Sequence, residues 1–73
     1  MTLKDVVEVN PNKLSGRPVF RGTRVPIKNL FDCLEDGDSI ERFLEQFSTV
    51  TREQVNGVLE LSKERLLDSE VAA

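Results

Sequence analysis

The sequence predicts a mainly α-helical protein, a three-helix bundle preceded by a short N-terminal β arm. Three observations support this fold class. The spacing of apolar residues changes from a strand-like to a helical period near Pro26. Three apolar stripes with i, i+3, i+4, i+7 spacing then follow one another. Turn and capping residues separate these stripes, and 73 residues allow one domain.

The arm is predicted to span residues 1–26 and to contain short strands. A β-branched patch comes first, at Val6, Val7 and Val9. Further strands are expected at residues 18–20 and 23–25, with a Gly between them that can adopt a positive φ. Because an isolated hairpin is marginally stable in water, the arm must lie on the helices or pair with another chain.

The bundle is predicted to span residues 27–68, with helices at 27–36, 39–46 and 51–67. Pro26 suits the start of the first helix and Gly37 the residue after its end. Asp38 is the expected N-cap of the second helix. For the third, Thr51 and Gln54 form a capping box, preceded by a hydrophobic staple, and residues 69–73 are expected to fray.

The apolar stripes predict one shared core. Its expected members are Leu30, Phe31, Leu34, Phe43, Leu44, Phe47, Val55, Val58, Leu59 and Leu66. The single Cys33 lies beside the first stripe and is expected to be a small buried hydrophobic residue.

Composition limits the function. A lone cysteine and the absence of a long apolar run predict a soluble, cytoplasmic protein without a membrane segment. Residues 1–26 carry a net charge of +3 and residues 27–73 a net charge of −6. Such a division predicts two different contact surfaces.

No arrangement of residues predicts catalysis, a metal site or a cofactor. The chain has no histidine, the residue most often used for proton transfer. Its acidic pairs fall at helix ends or on outward faces, and no cluster has metal-ligand spacing. We therefore expect a binding module rather than an enzyme.

The segment from Gly16 to Pro26, GRPVFRGTRVP, concentrates the arm's charge in Arg17, Arg21 and Arg24. One interpretation is an electropositive edge that grips a carboxylate or a phosphate through forked arginine hydrogen bonds. The other is a tight β turn whose arginines bond to acidic groups of the bundle itself. The residues alone leave both open.

The last two helices have the order of a helix-turn-helix unit, in which the third would be the recognition helix. Its outward positions Arg52, Asn56 and Lys63 are the candidate DNA contacts. Three glutamates among them would repel the DNA backbone, so a solvated or protein-contacting face is the competing interpretation.

The GRPVFRGTRVP segment resembles the signature of the bacterial and archaeal "domain of unknown function 433" family. That signature reads roughly Gly-Arg-Pro, two hydrophobic residues, Arg-Gly-Thr-Arg, a hydrophobic residue and Pro. Asn10-Pro11 before it, the Gly-x-Ser of residues 37–39 and the VTREQV of residues 50–55 fit the same pattern. A proline common in the family's turn after helix 2 is absent here.

The resemblance implies a homeodomain-like three-helix fold and an antitoxin role beside a PIN-like nuclease toxin. On this interpretation Arg17, Arg21 and Arg24 contact the nuclease, and Arg52, Asn56 and Lys63 contact promoter DNA. We expect a homodimer formed through the strand edges of the arm. The alternatives are a stand-alone helix-turn-helix regulator and a structural or assembly module with no nucleic-acid role.

Overall fold

The fold is mainly helical, with a short two-stranded antiparallel sheet near the N-terminus. A computed structural model describes residues 2–68, so the tail predicted at 69–73 lies outside the described residues. The described elements are α1 (Leu3–Val6), β1 (Val7–Glu8), β2 (Val19–Phe20), α2 (Ile27–Glu35), α3 (Ile40–Gln46) and α4 (Arg52–Asp68), with a 3₁₀ turn at Leu14–Gly16.

The start of the arm differs from its prediction. Residues 3–6 form one helical turn, which begins after Thr2, whose amide and hydroxyl both bond to the Asp5 carboxylate. The first strand holds only two residues, and Val9 lies beyond it with 64% of its surface exposed. Local capping by Thr2 and Asp5 thus overrides the β propensity of the valines that follow.

The sheet has only two strands because the predicted third one is replaced by a turn. β2 pairs with β1 in the register Val7↔Phe20, and its other edge meets the chain through a single bridge, Val19↔Pro26. The hydroxyl of Thr23 donates to the Phe20 carbonyl and accepts from the Val25 amide. These two bonds curl residues 20–25 into a compact turn instead of a strand.

The three later helices were predicted to within one residue at each end. Gly37 follows α2 with φ +89°, as expected for the residue after a helix. The capping box of α4 is present. The backbone amide of Gln54 donates to the Thr51 hydroxyl, and the Gln54 side-chain oxygen accepts from the backbone amide of Thr51. The predicted cap of α3 is wrong, because the Ser39 side chain, not that of Asp38, accepts from the Arg42 amide.

The core is shared between the bundle and the arm. Buried members from the predicted list are Leu30, Phe43, Val55 and Val58, while Phe31, Leu34, Leu44, Phe47 and Leu59 are partly buried around them. Cys33 is buried as predicted. The arm adds Val6, Val19 and Phe20, each at most 2% exposed.

Leu66 is the one member of the predicted core that lies outside it. It is 70% exposed, and residues 63–68 are all exposed. The apolar period of α4 therefore continues for more than a turn past the region that the rest of the described chain covers. Apolar periodicity predicts which face of a helix a residue lies on. It does not predict whether another element covers that part of the face.

Candidate partner-binding surfaces

The signature segment is tied closely to the rest of the arm, first of all by Arg21. Its guanidinium donates to the carbonyls of Lys4 and Val7, at the end of α1 and the start of β1. Carbonyls at a helix C-terminus lack intrahelical partners, and a cation there is favourable. Arg21 therefore fastens residues 20–25, hereafter the signature turn, to α1, a role that neither interpretation of the sequence included.

Glu8 holds the other side of the same turn. Its carboxylate accepts from the Gly22 amide at 3.0 Å and forms a 3.2 Å ion pair with Lys13. These contacts, the Gly22 amide first, hold the pKa of the Glu8 carboxyl below its ordinary value of 4.5. With φ at +78°, Gly22 takes a backbone conformation that places its N–H toward the carboxylate and that L side chains rarely adopt.

A third tie links the turn to the start of α4. The Gln54 side chain donates from Nε2 to the Arg21 carbonyl at 3.0 Å, while its Oε1 accepts from the Thr51 amide. One side chain thus completes the capping box of α4 and anchors the signature turn. This bridge adds a polar contact to the apolar packing that holds the arm against α4.

Arg17 and Arg24 differ from Arg21 in their contacts. Both are exposed, and within residues 2–68 neither guanidinium forms a hydrogen bond or an ion pair. Arg24 lies in the turn of residues 20–25 that follows β2, whereas Arg17 precedes β2. Of the three predicted arginines, Arg21 bonds within the arm, and the other two guanidinium groups are exposed without a bond to the described residues.

The three candidate DNA contacts fall on one outward stripe of α4. At 100° per residue Arg52, Asn56 and Lys63 lie within about 40° of each other, and all three are exposed. Both cations are paired with acids: Arg52 with Glu41 on α3 at 2.8 Å and Lys63 with Glu60 at 3.1 Å. The charge of this stripe is largely compensated within the protein itself.

Cys33 faces an acidic edge between α2 and α3. Its Sγ lies 3.8 Å from the Asp38 carboxylate, and burial, followed by this carboxylate, raises the pKa of the thiol. The group stays protonated and is a poor nucleophile. Among residues 2–68, no group of three or more acidic or cysteine side chains is arranged to hold a metal ion.

Sequence reasoning missed an apolar groove between the arm and α4. Leu3, Val7, Val9, Pro18, Ile27, Val58 and Leu61 line it, with Glu64, Arg65 and Asp68 on its rim. The missed signal is the apolar Leu61, which lies off the main stripe of α4 and is partly buried against the core. Within residues 2–68, no helix is both long enough and apolar enough to cross a membrane.

Comparison with known proteins gives a family and little about function. The family model described as "Protein of unknown function (DUF433)" matches residues 7–61. The uncharacterized protein y4eO of Sinorhizobium fredii (strain NBRC 101917 / NGR234) is 36% identical over 52 residues, which cover 71% of this chain. The chain spans only 24% of the length of that relative. No solved structure matches. The chain belongs to the DUF433 family of proteins of unknown function.

Proposed function

We propose that this chain is an antitoxin-like binding module, not an enzyme, and that its arm neutralises a PIN-like ribonuclease. The observation that carries the proposal is the pair of uncommitted guanidinium groups, Arg17 and Arg24, on an arm of net charge +3. The family resemblance supplies the kind of partner, since relatives are often encoded beside such nucleases.

The chemistry of the partner suits these two side chains. A nuclease of this kind holds its divalent metal with a cluster of carboxylates, and an arginine bonds to a carboxylate through two parallel N–H···O contacts. An inserted arginine would satisfy those carboxylates and exclude the metal. The backbone that carries Arg24 is held rigid by the ties of Arg21, Glu8 and Gln54, so that little conformational entropy is lost on binding.

Arg21, the third predicted contact, fits the proposal less directly. Two of its five N–H donors already serve the Lys4 and Val7 carbonyls. We propose that it acts by positioning Arg24 and that direct contact rests with Arg17 and Arg24. The acidic remainder of the chain would keep RNA away from the complex.

Promoter binding is the second candidate function. The observation that favours it is the shared stripe of Arg52, Asn56 and Lys63 on a helix that follows α3 after a five-residue connection. We propose that α2, α3 and α4 form a homeodomain-like helix-turn-helix unit. Because Glu41 and Glu60 offset its cations, DNA binding by the chain alone should be weak and should need a second copy or the nuclease.

The nuclease proposal is tested by co-expression with the PIN-like nuclease encoded beside this chain's gene, scored by growth. We expect Arg17→Glu with Arg24→Glu to abolish protection without unfolding the protein. Arg42→Glu is the matched control, since it reverses an exposed arginine on α3 outside the arm. Full protection by the arm variant, or equal loss with the control, would contradict the proposal, as would the lack of a neighbouring nuclease.

The DNA proposal has a separate test. Arg52→Glu with Lys63→Glu should abolish the retardation of a promoter fragment by the chain and nuclease together, while leaving protection intact. If that variant loses protection and the arm variant keeps it, α4 is the nuclease surface and the assignment of the two faces is inverted. A steep loss of affinity with salt in the chain alone would favour the stand-alone regulator.

A further inference from the structure

The loop between β1 and β2 contains a left-handed turn that leads into Arg17. Leu14 has a φ of +49° and Ser15 a φ of +57°, a region that residues other than glycine rarely adopt. Within the turn, the Gly16 amide bonds to the Lys13 carbonyl and the Arg17 amide to the Leu14 carbonyl. Strained backbone of this kind persists only where the surrounding structure holds it in place. The ends of this turn must therefore be anchored to the rest of the arm.

Glu8 provides this anchor. Its Oε1 atom accepts from the ammonium group of Lys13, directly before the turn, at 3.2 Å. The two side chains are only 18% and 23% exposed, so water screens this ion pair less than it screens a pair on the open surface. The same oxygen accepts from the Gly22 amide in the signature turn at 3.0 Å. One atom of Glu8 thus joins the segment that leads to Arg17 to the turn that carries Arg24.

We infer that Glu8 is a positioning residue that holds Arg17 and Arg24 in a fixed arrangement for their partner. This inference rests on the proposed function, in which both guanidinium groups bind carboxylates of the nuclease. Neither group has a hydrogen bond or an ion pair within the described residues, so its placement depends on the backbone that carries it. Because both segments are anchored beforehand, less conformational entropy is lost when the two arginines bind together.

The two contacts of Glu8 divide this role between the arginines. The ion pair with Lys13 anchors the segment before Arg17, and the other ties of the signature turn do not involve it. Loss of the Lys13 ammonium should therefore release Arg17 alone, whereas loss of the Glu8 carboxylate should release both arginines. A residue that only stabilised the fold would instead weaken the contributions of Arg17 and Arg24 to binding alike.

Amide hydrogen exchange of the purified chain tests the anchor without any partner. Lys13→Met removes the ammonium group and keeps the length of the side chain. We expect exchange at the Arg17 amide to rise at least about tenfold, equivalent to an opening that costs about 1.4 kcal/mol less, and exchange at the Arg21 amide to stay unchanged. Lys13→Arg restores a charged donor and should exchange like the wild type. Lys28→Met is the matched control, since it removes an exposed ion pair with Asp32 outside the loop.

Binding to the purified nuclease tests the division of roles. Arg17→Ala should weaken binding at least about tenfold in the wild-type chain, but by about threefold or less in the Lys13→Met chain, where Arg17 is no longer held in place. Arg24→Ala should weaken binding equally in both chains, because the signature turn keeps its own anchor. In a Glu8→Ala chain both substitutions should have smaller effects than in the wild type.

The outcomes separate this inference from the proposed function. Unchanged exchange at Arg17 in the Lys13→Met chain, or an equal rise at Arg21, overturns the inference. It is also overturned if the nuclease binds but Arg17→Ala has the same effect with and without the Lys13 ammonium. A wild-type chain that does not bind the nuclease overturns the proposed function, and with it the role of Glu8 in binding, whatever the exchange rates.

Discussion

At the scale of single residues, the three arginines of the signature segment differ in their hydrogen bonds. Arg21 donates hydrogen bonds to carbonyls of α1 and β1. The neighbouring Gly22 amide donates to the Glu8 carboxylate. Arg17 and Arg24 have no such bonds within the described chain. Sequence reasoning treats all three arginines alike, because nothing in their spacing tells which guanidinium the backbone turns toward its own carbonyls.

This difference predicts unequal effects of matched substitutions on stability. Arg21→Ala removes two hydrogen bonds, each contributing about 1 kcal/mol net, and should lower the melting temperature by several degrees. Arg24→Ala should change the free energy of unfolding by less than about 0.5 kcal/mol, as exposed positions usually do. Thermal unfolding of the two variants checks this, and equal melting temperatures would remove the structural role of Arg21.

Acid should weaken the arm through Glu8. The pKa of Glu8 is lowered in the folded protein, so this carboxylate contributes stability above its ordinary pKa of 4.5, and the contribution is lost as pH falls through the lower folded value. We expect Glu8→Gln to be less stable than the wild type at neutral pH and to show a smaller loss on acidification. Urea unfolding from pH 7 down to pH 3 measures both, and parallel pH profiles would contradict the assignment.

At the scale of elements, the arm behaves as a part of the core. The ring of Phe20 lies 5.9 Å from that of Phe43 on α3, which in turn lies 5.0 Å from that of Phe47. The helices could be predicted because their stripes and caps are local signals. The α1 turn, the loss of the third strand and the exposure of Leu66 could not, since they depend on hydroxyl hydrogen bonds and on how far neighbouring elements reach.

Phe20→Ala tests the structural status of the arm. Both Phe20 and Phe43 are fully buried, so either truncation should cost about 3–5 kcal/mol. The double variant should lose less than the sum, by about 0.5–1.5 kcal/mol, because the two rings contact each other. Denaturant unfolding of the three variants gives these values. A Phe20→Ala protein of near-native stability would mean that the arm packs only loosely on the bundle.

At the scale of the whole molecule, one small core carries two distinct surface features. The arm exposes Arg17 and Arg24, and an apolar groove lies between the arm and α4. Charge division and the outward stripe of α4 could be predicted from the sequence. The groove could not, because it arises only when the arm docks along α4, a contact between distant parts of the chain.

The proposed role of Arg24 requires the signature turn to be a rigid part of the fold. Amide hydrogen exchange measures this directly, since the amides of Phe20, Arg21 and Ile27 bond to the carbonyls of Val25, Val6 and Pro18. We expect these three amides to exchange only through global unfolding, as slowly as the amide of Val58 in α4. Exchange at the three arm amides about a hundredfold faster than at Val58, equivalent to an opening that costs about 2.7 kcal/mol less, would contradict it.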